Sequence, residues 1–304
     1  MTFNEGMQFD PDRASTGGGG GRGRGIAIGG GAGGLIIVVI ALLMGVDPSS
    51  ILGGSSTGGG DGGAGPDVSQ CTTGQAANTD PNCRVIATAY SLDDVWGTEL
   101  PKQTGVDYIK PGLKLFSGDV QTGCGPANTD VGPFYCPADN VAYFDTTFFK
   151  TLEEQFGSSS GALAQEYVVA HEFGHHIQTQ LGDINKSQQD PQGANSGAVR
   201  TELQADCYGG IWAYYADKDP APGQTQPYLK PLTQKDIADA LSAAASVGDD
   251  HIQESMTGRT NPEKYTHGTS AQRQAWFSAG YKTGQISACD TYSARDLNNP
   301  PALR

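Results

Sequence analysis

The stretch His171-Glu172-Phe173-Gly174-His175 constrains this chain more than any other, because its two imidazoles can serve one purpose only if the segment is helical. Positions i and i+4 of an α-helix share one face about a turn apart, so both histidines can aim a ring nitrogen at one metal ion. Glu172 then lies beside the ion rather than on it, where a carboxylate can act as a general base on bound water. Residues 161–180 have the length for such a helix, with serines before them for an N-cap and Gly182 after them as a stop.

Two histidines leave a catalytic zinc site incomplete, since such sites usually take three protein ligands and keep a further position for water. A second helical segment, at about 198–216, contains Glu202-Leu203-Gln204-Ala205-Asp206, which puts two carboxylates one turn apart. Glu202 can complete a His2Glu set, while Asp206 fixes the tautomer of a ligand imidazole from behind. His-Glu-x-x-His is the signature of zinc metalloproteases, in which Glu172 would take a proton from the attacking water and return it to the leaving amine. His267, in Tyr265-Thr266-His267-Gly268, is the first candidate for stabilising the oxyanion, with Tyr265 and His251 behind it. A surface or packing role is the alternative for His267 and His251. His176 faces about 100° away from His175 and reads as packing or solvent exposure, not ligation.

The formal net charge is -14 over 304 residues, and the domain has no Lys/Arg cluster, which argues against a nucleic-acid partner. Residues 1–25 are polar and Gly-rich, with too little apolar surface to fold alone, and predict a disordered cytoplasmic tail. Residues 26–46 carry no charge and as a helix would cover roughly 30 Å, the thickness of a bilayer's hydrocarbon core. They predict a single transmembrane helix in a lipid bilayer. Arg13, Arg22 and Arg24 precede it and no Lys or Arg follows until Arg84, so the positive-inside rule keeps the N-terminus cytoplasmic and the rest outside. A cleaved signal peptide is the rival, but its apolar core would be shorter.

Residues 47–70 then read as a Gly/Ser-rich linker and 71–304 as the ectodomain. All six cysteines lie beyond the apolar stretch, where an oxidising compartment would pair them. Equal separations favour Cys71 with Cys83 and Cys124 with Cys136, leaving Cys207 with Cys289, although other pairings stay open. A four-cysteine zinc knot is the alternative, against which stands the lack of a short C-x-x-C spacing. Helical periodicity at 84–100, strand-like runs at 114–116 and 140–145, and further helices at 233–247 and 270–280 predict an α+β domain, mainly helical with a small β-sheet. The run 140–145 is either an edge strand that accepts an extended peptide or a core strand. Trp212, Tyr214 and Tyr215 read as core packing beside Gly209-Gly210, and Asp249-Asp250 as a solvated loop, with calcium binding as the alternative.

Five segments, MTFNEGMQFDPDRASTGGGG, the Gly-rich apolar stretch, HEFGHHIQ, ELQADCYGGIWA and THGTSAQRQAWF, extend over nearly the whole chain a resemblance to a known group. They resemble the bacterial membrane-anchored neutral zinc metallopeptidases, of gluzincin type. The resemblance implies a zincin-like fold, Zn2+ held by His171, His175 and Glu202, and Glu172 as catalytic base, the same residues the spacing selects. The expected function is zinc-dependent hydrolysis of a peptide or protein substrate on the outer side of a bacterial cytoplasmic membrane. A zinc-containing binding or scaffold protein without turnover, and a zinc amidase acting on cell-wall peptides, are the alternatives. Cleavage preference and oligomeric state are not legible.

Overall fold

The computed structural model describes residues 2–17 and 65–304, so the expected membrane span at 26–46 and most of the linker at 47–70 lie outside the described residues. Among the described residues no helix is long and apolar enough to cross a membrane. About half of the described chain is helical and two small sheets accompany the helices, in keeping with the α+β expectation.

Helix α1 (Gly74–Thr79) leads through Asp80 into α2 (Pro81–Thr104). Asp80 accepts from the amides of Asn82 and Cys83, and Pro81 follows it where a missing amide hydrogen costs nothing, so the helix starts three residues before its predicted position. A four-stranded sheet then forms in the order β1 (Ser15–Thr16), β2 (Gly112–Leu115), β6 (Val141–Phe144), β5 (Phe134–Cys136), with β5 the antiparallel member. A hairpin of β3 (Val120–Thr122) and β4 (Gly125–Ala127) stands beside it. Strand β6, the 140–145 run, lies between β2 and β5, so it is a core strand, and β1 and β5 are the edges.

After the short α3 (Phe148–Glu154) come the two helices that hold the expected site residues, α4 (Ala162–Leu181) and, beyond the brief α5 (Lys186–Gln189), α6 (Gly197–Ala216). Gly161, not a serine, stands at the N-cap of α4 and Gly182 closes it in the left-handed region at φ 81°. Helices α7 (Gln234–Ser246), α8 (Asp249–Thr257) and α9 (Ser270–Thr283) complete the fold. The capping box of Thr233 and Asp236 starts α7 as the sequence suggests, whereas α8 replaces the predicted loop at Asp249-Asp250. Gly210 and Gly280 let α6 and α9 touch backbone to backbone, since a Cβ on either would come within 2.1 Å of a carbonyl oxygen on the other helix. Trp96, Trp212 and Trp276 are fully enclosed in the resulting core.

Disulfides join Cys71 to Cys83, Cys124 to Cys136 and Cys207 to Cys289, and no cysteine is free among the described residues. The third ties α6 to the segment after α9. The N-terminal residues differ from expectation. Residues 2–17 are not a disordered tail: Phe3, Met7 and Phe9 are buried in the main core, and Ser15–Thr16 supplies strand β1. Three apolar side chains in an otherwise polar segment cannot fold alone, but they fold well into a groove that the domain provides.

Candidate metal centre

Helix α4 presents His171, Glu172 and His175, and α6 presents Glu202 and Asp206, at a crossing where the two helices approach closely. Gly174 makes that approach possible: a Cβ there would stand 2.8 Å from the carbonyl oxygen of Ala205. The one small residue of the pentapeptide thus has a packing role, which brings the Glu202 helix up to the histidines.

His171 Nε2 lies 3.2 Å from His175 Nε2 and 3.2 Å from Glu202 Oε2, and His175 Nε2 lies 3.5 Å from Glu202 Oε1. Ligand atoms bound tetrahedrally at zinc–nitrogen and zinc–oxygen bond lengths stand about 3.3 Å apart; each histidine nitrogen is near that distance from the other and from one Glu202 oxygen, and one ligand atom from each of the three residues lies within 4.8 Å of the others. His171, His175 and Glu202 are the one such group of histidine, cysteine and acidic ligands among the described residues. All are buried.

The electrostatics fit a cation as well. Burial works against the charge of Glu202, but the neighbouring imidazoles hold its carboxyl well below the usual range. Burial likewise disfavours a charged His171, yet its bonds to Asp206 and Glu202 raise it to about 10, whereas burial drives His175 down to about 4. A pocket that draws a proton onto a buried imidazole has a surplus of negative charge, and a divalent ion among the same donors would displace that proton.

Each ring is oriented from behind. Asp206, fully buried, accepts from His171 Nδ1 at 2.8 Å, from Arg273 Nε at 2.8 Å and Nη2 at 2.9 Å, and from the Tyr167 hydroxyl. Burial raises the Asp206 carboxyl, but Arg273 and His171 pull it down to about 2. His175 Nδ1 lies 2.8 Å from Gln178 Oε1, and the Gln178 amide donates to Gln204 Oε1 at 2.9 Å and to the Thr201 carbonyl at 2.7 Å on α6. One imidazole therefore leans on a charge and the other on a neutral amide. Sequence spacing picks out Asp206, but not Arg273, Tyr167 or Gln178. Gln178 stands three residues after His175 and was recoverable from the helical period; the other two act through tertiary contacts.

Glu172 Oε2 is buried and has no hydrogen-bond partner, and burial pushes the carboxyl up to about 7. The backbone of Tyr135 on strand β5 works against that rise. The cleft over these residues has an apolar wall of Phe148, Phe156, Val168, Val247 and Ile252, and His267 lines it too. A buried carboxylate fixes His267: Asp249 Oδ2 accepts from the amides of Thr266, His267 and Gly268 at 2.7 to 2.8 Å, and Asp249 Oδ1 lies 3.4 Å from His267 Nδ1. Asp249 is thus the anchor of the His267 loop, not a solvated acid. The other two oxyanion candidates do not join it. Tyr265 is buried away from the cleft, and His251 is exposed with its Nε2 3.1 Å from the carbonyl of Phe156. His176 packs between Tyr135 and the carbonyl of Ile109, as its direction on the helix indicated.

Comparison with known proteins adds relatives to this geometry. A family profile described as "Putative neutral zinc metallopeptidase" matches residues 4–292. The uncharacterized protein Rv2575 of Mycobacterium tuberculosis H37Rv is 58% identical over 298 residues, which cover 98% of this chain and 100% of that protein. Its counterpart Mb2605 of Mycobacterium bovis matches equally, at 58% over 298 residues. YpfJ of Escherichia coli K12 is 39% identical over 207 residues, 66% of this chain and 68% of that protein. No solved structure matches.

Proposed function

Since the chain belongs to the family of neutral zinc metallopeptidases, we propose that it is a zinc-dependent peptidase of zincin-like fold, acting on peptide bonds outside the cytoplasmic membrane. The observation that carries this reading is the spacing of His171, His175 and Glu202 at 3.2 to 3.5 Å beside the unpartnered carboxylate oxygen of Glu172. A zinc ion on those three residues would polarise the scissile carbonyl and acidify its water.

The chain's own residues do the rest. Glu172, poised near neutrality by its burial, accepts the proton of the attacking water and delivers it to the leaving nitrogen. His267, locked by Asp249 at the cleft wall, donates to the oxygen that gains charge. Asp206 and Gln178 hold the two ligand rings in the tautomer that leaves Nε2 free for the ion. The apolar wall favours hydrophobic side chains flanking a peptide bond over a sugar or phosphate.

Three disulfides point to an extracytoplasmic domain. Attachment to a lipid bilayer through residues 26–46 belongs to the same proposal. The test is removal of zinc by a chelator and its restoration, with hydrolysis followed on denatured protein, short peptides and peptidoglycan. Reversible loss of peptide cleavage is expected. Zinc-dependent cleavage of peptidoglycan alone would favour the amidase, and bound zinc without turnover on any substrate would favour the scaffold.

A further inference from the structure

The N-terminal segment is seated in the domain along its whole length. At one end the Thr2 hydroxyl donates to Glu166 Oε1, a carboxylate fully buried on the back of the metal-carrying helix α4. At the other, Arg13 Nε lies 2.7 Å and Nη2 3.3 Å from the two oxygens of Asp93, whose side chain is closed to solvent. The same guanidinium stands 5.9 Å over the ring of Phe173, inside the pentapeptide. Between these ends the main chain is bonded as in a sheet or turn. The Asn78 side chain pairs with both the amide and the carbonyl of Phe3, the Asn4 amide donates to Tyr228, the Gly74 amide donates to Met7, and the Phe9 amide donates to Thr72.

Two consequences bear on topology. Arg13 is one of the three cations that argued for a cytoplasmic N-terminus, and here it neutralises a buried carboxylate of the catalytic domain. The seat also adjoins an oxidised cysteine pair: Thr72 and Gly74, which bond Phe9 and Met7, lie in the loop that the Cys71–Cys83 disulfide closes. A segment that builds this seat shares the compartment in which that disulfide persists.

We propose that residues 2–17 are a strap of the catalytic domain, lying with it on the same oxidising side of the membrane and backing helix α4 at Glu166 and Phe173. A single crossing at 26–46 would put residues 2–17 and the domain on opposite sides, so the inference replaces both the expected cytoplasmic tail and the expected single crossing, leaving attachment at the outer face. It rests on the strap's own contacts and not on peptidase activity, so either reading can fail without the other.

The test uses the full chain in membranes of intact cells. No cysteine is free among the described residues, so Gln8→Cys on the strap and Met256→Cys on the domain, both at exposed positions, each supply one reporter thiol. A membrane-impermeant maleimide should label both to the same extent before lysis. Labelling of Met256→Cys alone before lysis, or of either only after it, overturns the proposal. Hydrogen exchange in the purified unsubstituted protein gives an independent reading. The Asn4 and Phe9 amides should be protected by about two orders of magnitude or more relative to an unstructured peptide, and exchange at the unstructured rate overturns the strap.

Discussion

Replacing Asp206 with Asn separates the carboxylate's support of the ion from its support of the fold. The substitution keeps the shape but removes a charge that accepts from His171 at 2.8 Å and from Arg273 at 2.8 and 2.9 Å. The native state holds Asp206 at about 2 against an ordinary 3.8, which by linkage is about 2.5 kcal/mol of stabilisation. A carboxyl lowered on folding contributes this fully at neutral pH and loses it as pH falls through the range between those two values. Arg273, 2% exposed, would be left with an unpaired charge, which brings the expected loss to about 3–5 kcal/mol in the metal-free protein. Zinc affinity should fall a further 10- to 100-fold, roughly 1.4–2.7 kcal/mol, because the His171 ring loses the group that sets its tautomer. Urea unfolding of the chelator-treated protein measures the first effect and competition against a chelator of known affinity the second. Zinc affinity within about twofold of the unsubstituted protein would refute the claim that Asp206 orients a ligand.

Gly174→Ala should cost about 1–3 kcal/mol of stability and weaken zinc binding, because the added methyl meets the Ala205 carbonyl at 2.8 Å and must push the Glu202 helix away. Thermal unfolding with and without zinc checks it; unchanged affinity would show that the close approach is not needed. Burial raises Glu166 to about 7 from 4.5, opposed by the Thr2 hydroxyl and the Arg84 charge. A carboxyl raised on folding stabilises below its unfolded value, and that contribution is lost as pH climbs through the folded value. Relative to Glu166→Gln, the natural protein should therefore lose up to about 3 kcal/mol of unfolding free energy between pH 4.5 and 8. A pH-independent difference between the two proteins would show that Glu166 does not titrate in this way.

Much of the site was legible because helical spacing is rigid. Positions 171, 175, 202 and 206 each follow from one period, and the disulfide between residues 71 and 83 from a short separation. What spacing cannot supply is the partner brought by another element. Arg273 reaches Asp206 from α9, and Asp249 looks like an exposed acid until three amides of the His267 loop turn toward it. The strap was hidden for the same reason. Phe3, Met7 and Phe9 make no pattern within a polar segment, and their partners lie far along the chain, at Asn78, Gly74 and Thr72. Charge counting likewise treats Arg13 as a free cation, whereas in the structure it pairs with Asp93.

The most direct measurement of the central claim is zinc content and peptide hydrolysis determined on the same preparations of the unsubstituted protein and Glu172→Gln. Each should hold one zinc ion per chain, and turnover should drop by about 10²–10⁴-fold in the variant, since the amide cannot take the water's proton. Full turnover by the zinc-loaded variant would contradict the assignment of Glu172 as the base. Absence of zinc from both would contradict the metal centre itself.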